Sequence, residues 1–253
     1  MAYELQKGNL WKRISAGMFD SILTGILAVA VACLLSFLLG YNGQNEKLDG
    51  YYAQYEQQYG VTFDISAEAY EGMTDQQRQD YDAAFAAMSN DPEVTGTYQL
   101  VMNLSLVIIT LGILGAIVVW ELVIPLLLGE GRTLGKKIFG LCVIHTEGIR
   151  MNRMQLFIRT VLGKFTVETM VPVYILLMLF WGITDLTGTL VLLGLPVAQF
   201  VSMAVTRTNS MIHDLLAGTV VVDYESQRIF GSREELIAYQ KTVAADRAKR
   251  QPY

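Results

Sequence analysis

The stretch that decides the fold is WKRISAGMFDSILTGILAVAVACLLSFLLG, which runs from Trp11 to Gly40. It is long enough for one helix to cross a bilayer, since a span takes about 20 apolar residues. Arg13 opens the segment and Asp20 follows seven residues later, so the two charges share one face of a helix. A charged side chain inside a bilayer costs at least about 2.5 kcal/mol. The sequence therefore predicts a partner for Asp20.

This first segment is predicted to stay attached to the chain. The alternative is cleavage, because Ala30-Val31-Ala32-Cys33 loosely matches a lipoprotein cleavage site. Against cleavage, Asp20 interrupts the apolar region, and the apolar run continues past Cys33 through LLSFLL. The segment is therefore interpreted as an uncleaved transmembrane helix.

The composition is that of a membrane protein. The chain is 52% hydrophobic and 17% charged, whereas soluble domains carry about 25% charged residues. Four apolar runs qualify as spans, at residues 14–39, 100–128, 165–183 and 186–206. The last two flank the short turn GITDLTG and are interpreted as a helical hairpin, with a re-entrant loop as the alternative. The predicted fold is an all-α membrane protein with four transmembrane helices.

The distribution of Lys and Arg predicts the orientation. Residues 1–13 contain three of them, and residues 129–164 and 207–253 contain seven each. Residues 41–99 contain only two, against eleven acidic residues. Because loops rich in Lys and Arg stay in the cytoplasm, both termini are predicted to be cytoplasmic and residues 41–99 extracytoplasmic. The chain then divides into six segments: 1–40, 41–99, 100–128, 129–164, 165–206 and 207–253.

The extracytoplasmic segment 41–99 is predicted to be an acidic helical cap. A Tyr-rich helix is expected to end at Gly60, because glycine commonly follows the last turn of a helix. A second helix is expected to begin at a capping box of Thr74 and Gln77 and to end before Pro92.

The cytoplasmic segment 129–164 is predicted to contain a short strand and a helix. Residues 138–146 are β-branched and apolar, and residues 219–223 near the C-terminus are expected to pair with them. Asn152 is expected to cap a basic amphipathic helix through about Lys164, lying along the inner lipid headgroups. The fold therefore includes a small cytoplasmic β element.

Three parts of the chain together resemble the RDD family of bacterial membrane proteins. They are the pair Arg13 and Asp20, the connector GRTLGKKIFGLCVIHTEG, and the segment HDLLAGTVVV. The family is named for one Arg and two Asp, which match Arg13, Asp20 and Asp214. The resemblance covers most of the chain except residues 41–99 and the tail beyond Asp223. It implies a multi-pass protein of the bacterial plasma membrane, for which transport has been suggested, with sodium/proton exchange in some members.

Three carboxylates are candidate ion ligands. Asp20, Glu121 and Glu168 all fall in the inner half of the predicted membrane region. Several carboxylates with few basic partners in a low dielectric cannot all stay ionised, so at least one is expected to hold a proton or a cation. Exchange of Na⁺ for H⁺ requires such a site. Four spans are few for a transporter, so transport implies a homo-oligomer.

The alternative interpretation is structural. Arg13, Asp20 and Asp214 are equally consistent with a clamp, in a non-transporting membrane module that binds a partner or aids assembly. Glu168 lies four residues after Lys164 and can pair with it. His213 is expected to cap a turn.

An enzyme is the least supported class. His145 and His213 are the only histidines, so neither a zinc site nor a His-based nucleophile is indicated, and no cofactor-binding loop is predicted. The basic residues of segment 129–164 indicate contact with anionic lipid headgroups rather than with nucleic acid. The expected partners are therefore the bilayer and Na⁺ or H⁺.

Overall fold

The computed structural model describes residues 5–172, 194, 197–199 and 201–250. The described chain is mostly helical, and it divides into two compact units: Ala30–Gly112, and Met1–Val29 together with Ile113–Tyr253. In chain order the described helices are α1 (Leu10–Leu38), α2 (Tyr41–Tyr59), α3 (Ala67–Glu71), α4 (Asp75–Ser89), α5 (Pro92–Val118), α6 (Ile124–Leu128), α7 (Leu134–Ile138), α8 (Arg153–Phe157), α9 (Ile212–Ala217) and α10 (Arg233–Arg250). Two segments are π-helical, Val119–Val123 and Ile158–Glu168, and two strands pair, β1 (Leu141–His145) and β2 (Thr219–Asp223).

Two helical stretches of the described chain are long and apolar enough to cross a membrane, Leu10–Leu38 and Pro92–Leu128. They coincide with the first two predicted spans, but the second begins eight residues before the predicted residue 100. It starts early because the Asp91 carboxylate accepts the backbone N–H of Glu93 at 2.8 Å, with Pro92 in the first turn. The predicted hairpin of spans at 165–183 and 186–206 lies mainly outside the described residues.

The unit Ala30–Gly112 contains the two helices predicted for the acidic cap. Helix α2 ends at Gly60, whose φ of 67° is left-handed, and α4 begins at the predicted capping box of Thr74 and Gln77. Leu48 of α2, Met88 of α4 and nearby residues of α5 form an apolar core, against which several aromatic side chains pack. Both helix positions are therefore confirmed.

The predicted β element is present in the other unit. Strands β1 and β2 are antiparallel, with Val143 opposite Val221, so the predicted pairing with residues 219–223 is confirmed. The strand is shorter than the predicted 138–146, because Ile138 and the preceding residues belong to α7. The N-terminal segment extends the sheet, since the Gly8 N–H donates to the Val221 carbonyl at 3.3 Å.

The helix after β1 is longer than predicted and changes type. Asn152 caps α8 as expected, through a capping box with Gln155. The chain then continues without interruption into the π-helix Ile158–Glu168, which ends before Met170, whose φ is 53°. One helical segment therefore crosses the predicted boundary between an interfacial helix ending at Lys164 and a span beginning at residue 165.

Candidate functional site

A cluster of charged side chains lies inside the unit formed by Met1–Val29 and Ile113–Tyr253. We call it the charge cluster; its members are the carboxylates Asp20, Glu121, Glu168 and Asp214, the cations Arg13, Lys136, Arg159 and Lys164, and His213. Lys164 and Glu168 are partly exposed, and the other seven are buried. Charges are tolerated inside a protein only when they are paired. The partners of each charged group therefore determine whether that group is free to bind a proton or a cation.

Asp20 is held by donors from two other parts of the chain. Its Oδ1 accepts the indole N–H of Trp120 at 3.0 Å and the backbone N–H of Gly135 at 2.9 Å. Its Oδ2 accepts the hydroxyl of Thr133 at 2.5 Å, and the Lys136 ammonium lies 3.9 Å away. The partner predicted for Asp20 is therefore the start of α7, together with Trp120.

The sequence GRTLGKK builds this contact locally. Thr133 is the N-cap of α7, and its hydroxyl oxygen accepts the Lys136 backbone N–H at 3.3 Å while donating its proton to Asp20. A Cβ on Gly135 would lie 2.5 Å from the Ala16 carbonyl oxygen and 2.8 Å from the Asp20 carboxylate. Only glycine lets α7 approach α1 this closely.

Glu121 lies in a π-helical turn and binds three cations. Its Oε1 accepts the Lys164 ammonium, and its Oε2 lies 3.4 Å from Lys136 Nζ and 3.7 Å from Arg159 Nη1. Pro125 has no N–H for the Glu121 carbonyl, and the Thr160 hydroxyl donates to that carbonyl instead, at 3.0 Å. The donor that replaces the missing Pro125 N–H thus comes from the helix that also carries Arg159 and Lys164.

The π-helix Ile158–Glu168 explains how two cations of one helix reach Glu121. Arg159 and Lys164 are five residues apart, which in an α-helix would place them on different faces. A π-helix hydrogen-bonds residues five apart, so their side chains come to the same side. Thr160 lies beside them, and Gly163 packs so closely on His213 that an added Cβ would lie 2.5 Å from the His213 Cβ.

Asp214 joins α9 to two arginines. Its Oδ1 accepts the Arg159 Nε–H at 3.0 Å, and its Oδ2 lies 3.4 Å from Arg13 Nη2. Arg13 also donates to the Thr208 carbonyl at 3.3 Å. Of the three residues in the predicted clamp, Arg13 therefore pairs with Asp214 and not with Asp20, because its guanidinium points to α9.

His213 and Glu168 form a pair that corrects two predictions. The Glu168 carboxylate bonds to His213 Nδ1 rather than to Lys164, whose ammonium is taken by Glu121. The Arg159 Nη2 group lies 2.8 Å from His213 Nε2, and since a guanidinium can only donate, Nε2 accepts. Nδ1 then carries the proton, so His213 is neutral and lies inside the charge cluster instead of capping a turn.

The contacts form a continuous series of alternating charges that begins and ends on α1. Asp20 is followed by Lys136, Glu121, Arg159, Asp214 and Arg13, and Arg13 lies seven residues before Asp20. With His213 neutral, four carboxylates balance four cations. The expectation that these carboxylates have few basic partners is therefore wrong, because Lys136, Arg159 and Lys164 pair with them.

For the ionisable groups outside the candidate spans, burial and oppositely charged neighbours shift the pKa in opposite directions. Burial by itself would raise the pKa of Asp214, but its basic neighbours hold it below the usual range. Burial lowers the pKa of His213, in agreement with its neutral form. Burial also lowers the pKa of Lys136, to about 8, although Glu121 and Asp20 favour the ammonium. Lys136 is thus a buried cation that can lose its proton at moderately alkaline pH.

Among the residues that the structure describes, no three His, Cys, Asp or Glu side chains form a metal site. The groups that sequence reasoning missed are the donors Trp120, Thr133, Lys136, Arg159 and Lys164. Charge balance could have indicated the three cations in this set. Buried carboxylates require cations, and segment 129–164 contains basic residues close to Glu121 and Glu168 in sequence.

The model of the RDD family matches residues 7–218 of this chain, which include Arg13, Asp20 and Asp214. No curated protein and no solved structure matches the chain significantly. The family match therefore covers every member of the charge cluster.

The two tightly packed glycines give a first prediction. We expect Gly135→Ala and Gly163→Ala each to destabilise the protein by about 1–3 kcal/mol, because the added Cβ overlaps fixed atoms. Gly17→Ala is the control: it is exposed in α1 with nothing within 4 Å of the added Cβ, so it should be neutral or slightly stabilising. Thermal unfolding in detergent measures the difference. Equal stability of all three variants would contradict the close packing described for Gly135 against α1 and for Gly163 against His213.

The neutral form of His213 gives a second prediction. Because its pKa is lowered in the folded state, the unfolded chain binds a proton near its usual pKa of 6.5 while the folded chain does not. Stability should therefore fall as pH drops below 6.5, by up to about 1.4 kcal/mol per pH unit. Asp214, whose folded pKa is also lowered, adds to the loss below its usual pKa of 3.8.

Chemical or thermal unfolding between pH 7.5 and 5, at about half-unit steps, tests this dependence. His213→Gln should flatten the slope below pH 6.5, whereas the matched variant His145→Gln should keep it. A slope that is unchanged in His213→Gln would show that His213 is not the group that titrates.

Proposed function

The chain belongs to the RDD family, a family of membrane proteins, and we propose that it exchanges protons for a small monovalent cation such as Na⁺ at the charge cluster. Two candidate spans support its place in a membrane. The proposal includes four spans in the plasma membrane, with both termini in the cytoplasm, as the distribution of Lys and Arg indicates.

The observation that carries this proposal is the surroundings of the Lys136 ammonium. Three oxygens from three elements approach it: Thr133 Oγ1 at 3.2 Å, Glu121 Oε2 at 3.4 Å and Asp20 Oδ2 at 3.9 Å. Small hard cations take oxygen ligands, and carboxylates are the favoured ones. The ammonium therefore occupies a position whose ligands also suit a monovalent metal ion.

The proposed exchange of a proton for a cation depends on charge balance around the buried Lys136 ammonium. When Lys136 gives up its proton, the cluster is left with one uncompensated negative charge in a low dielectric. A cation that enters among the same oxygens restores neutrality, and its departure favours reprotonation of the lysine. One proton and one monovalent cation thus compete for the same compensating role, and this competition is what exchange requires. Of the three predicted ligands, Asp20 and Glu121 take part, while Glu168 is engaged by His213.

The proposed path lies between subunits. Four helices enclose little space, so we place the route to Lys136 at the interface of a homo-oligomer. The protein would need no cofactor and no enzymatic activity for this exchange, since the carboxylates, the hydroxyl and the ammonium supply all the groups involved.

A second candidate is a non-transporting module that binds a partner or aids assembly. It is favoured by the observation that every carboxylate of the charge cluster already contacts a basic side chain. In that case Arg13 and Asp214 join α1 to α9, and Asp20 joins α1 to α7, as structural clamps.

Proton flux in proteoliposomes, driven by a Na⁺ or Li⁺ gradient, tests the exchange. We expect Lys136→Met to reduce the flux at least about tenfold, equivalent to about 1.4 kcal/mol, because the proton carrier is gone. Lys137→Met is the matched control, since Lys137 is the exposed neighbour on α7 and should leave flux unchanged. The double variant Lys136→Met/Glu121→Gln keeps the cluster neutral, and it should fold yet not exchange.

Two results would remove the exchange mechanism. Unchanged flux in Lys136→Met and in the double variant would show that Lys136 does not carry the proton. Absence of flux with Na⁺, Li⁺ and K⁺ in the native protein, together with a protein that copurifies at a fixed ratio, would support the module instead.

A further inference from the structure

A large open cavity lies outside the charge cluster, where the N-terminal segment, the β1 turn, residues 207–208 and α10 meet. Its volume is about 710 Å³, within the range of about 300–1,000 Å³ that is usual for ligand sites. All of its lining residues belong to the unit that contains the charge cluster. The proposed exchange does not use this cavity.

The cavity carries an excess of positive charge. Lys7, Arg207 and Arg233 line it, together with one carboxylate, Glu147. Glu147 is paired with Arg233 at 3.3 Å. Lys7 and Arg207 are exposed, and within the described part of the chain neither forms an ion pair. Two cations therefore face the cavity with their charge uncompensated by the residues around them.

The remaining lining is partly apolar. Leu236 and Ile237 of α10 contribute aliphatic surface, and Thr146 and Gln240 contribute polar groups. Arg207 follows directly after residues 201–205, which are helical and belong to the predicted fourth span. In the proposed topology, Arg207 thus lies at the depth of the cytoplasmic headgroups, where anionic lipids attract Lys and Arg.

We propose that this cavity binds a phosphate-bearing anion, with Lys7 and Arg207 contacting the phosphate oxygens and the apolar wall of α10 taking an adjoining hydrocarbon or glycerol group. The combination fits an anionic phospholipid such as phosphatidylglycerol. Arginine offers a planar fork of donors to phosphate oxygens and lysine offers a point charge. The two cations together favour a phosphate with net negative charge over the phosphate of a zwitterionic headgroup, which its own ammonium already balances.

Binding at this cavity has a direct structural link to the charge cluster. The Thr208 carbonyl accepts from Arg13, and Arg13 in turn pairs with Asp214. A ligand held by Arg207 therefore fixes the segment on which Arg13 depends, and it should raise the melting temperature of the whole protein in proportion to its occupancy. This effect does not require that the protein transport anything.

The full-length protein in a neutral detergent provides the test, by thermal shift and by titration. The probes are short-chain phosphatidylglycerol, short-chain phosphatidylcholine and inorganic phosphate. We expect phosphatidylglycerol to bind the native protein more tightly than phosphatidylcholine, and Lys7→Gln/Arg207→Gln to weaken its binding about tenfold or more, because two charge-assisted contacts are lost. Gln240→Glu, which adds a carboxylate at an exposed lining position, should also weaken it.

The matched control is Lys137→Gln/Lys249→Gln, which removes two exposed lysines outside the cavity and should bind as the native protein does. Inorganic phosphate that binds as tightly as the lipid, and equally depends on Lys7 and Arg207, would keep the site but assign it to a soluble phosphate compound. Equal binding of phosphatidylglycerol by native protein, cavity variants and control would overturn the proposal. So would equal binding of phosphatidylglycerol and phosphatidylcholine.

Discussion

Charge neutrality in a buried space is the constraint on which the rest of the structure depends. Asp20, Glu121 and Asp214 are all buried, and a buried charge that loses its partner costs about 3–5 kcal/mol. The negative charge of each carboxylate is compensated by a basic side chain from a different part of the chain. A helix that carries one of these groups therefore cannot move without separating an ion pair. The alternating series therefore fixes α1, the Glu121 turn, α7, the Arg159 helix and α9 in one arrangement.

The two π-helical segments belong to the same constraint. A π-helix has poorer geometry than an α-helix and is frequent at functional sites. Here one segment presents Glu121, whose carbonyl is satisfied by Thr160, and the other turns Arg159 and Lys164 to the same carboxylate. Both π-helical segments thus position side chains for the same contact, that of Glu121 with Thr160, Arg159 and Lys164. Buried ion pairs seldom add net stability compared with apolar packing, so stability alone does not explain a cluster of this size.

Much of the fold could be predicted from local sequence signals. Gly60, the capping box at Thr74 and the cap at Asn152 lie where the sequence placed them, because caps depend on neighbouring residues. The pairing of β1 with β2 also followed from two short apolar runs. The extension of the second span to Pro92 was missed although its cap at Asp91 is also a local signal, because the span was bounded by its apolar residues alone. The π-helical stretch to Glu168 was missed because it depends on contacts across helices.

The site could be predicted only in part. Arg13, Asp20, Glu121 and Asp214 were identified from charges in apolar surroundings and from the family resemblance. Their partners were not, because the positive residues of segment 129–164 were interpreted as markers of orientation and as contacts with lipid headgroups. Lys164 illustrates the difficulty: its distance from Glu168 fits an α-helical pair, whereas the π-helix directs it to Glu121. Side-chain direction in an irregular helix is not accessible to a periodicity argument.

The most direct test of the central claim is a double-mutant cycle on Lys136 and Glu121, measured as the free energy of unfolding. Each of Lys136→Met and Glu121→Gln leaves one uncompensated buried charge, whereas the double variant is neutral again. The charge-balance account predicts that the double variant is more stable than Lys136→Met alone, with a coupling energy of at least about 1 kcal/mol. Additive losses, with the double variant less stable than either single variant by the sum of their effects, would contradict it.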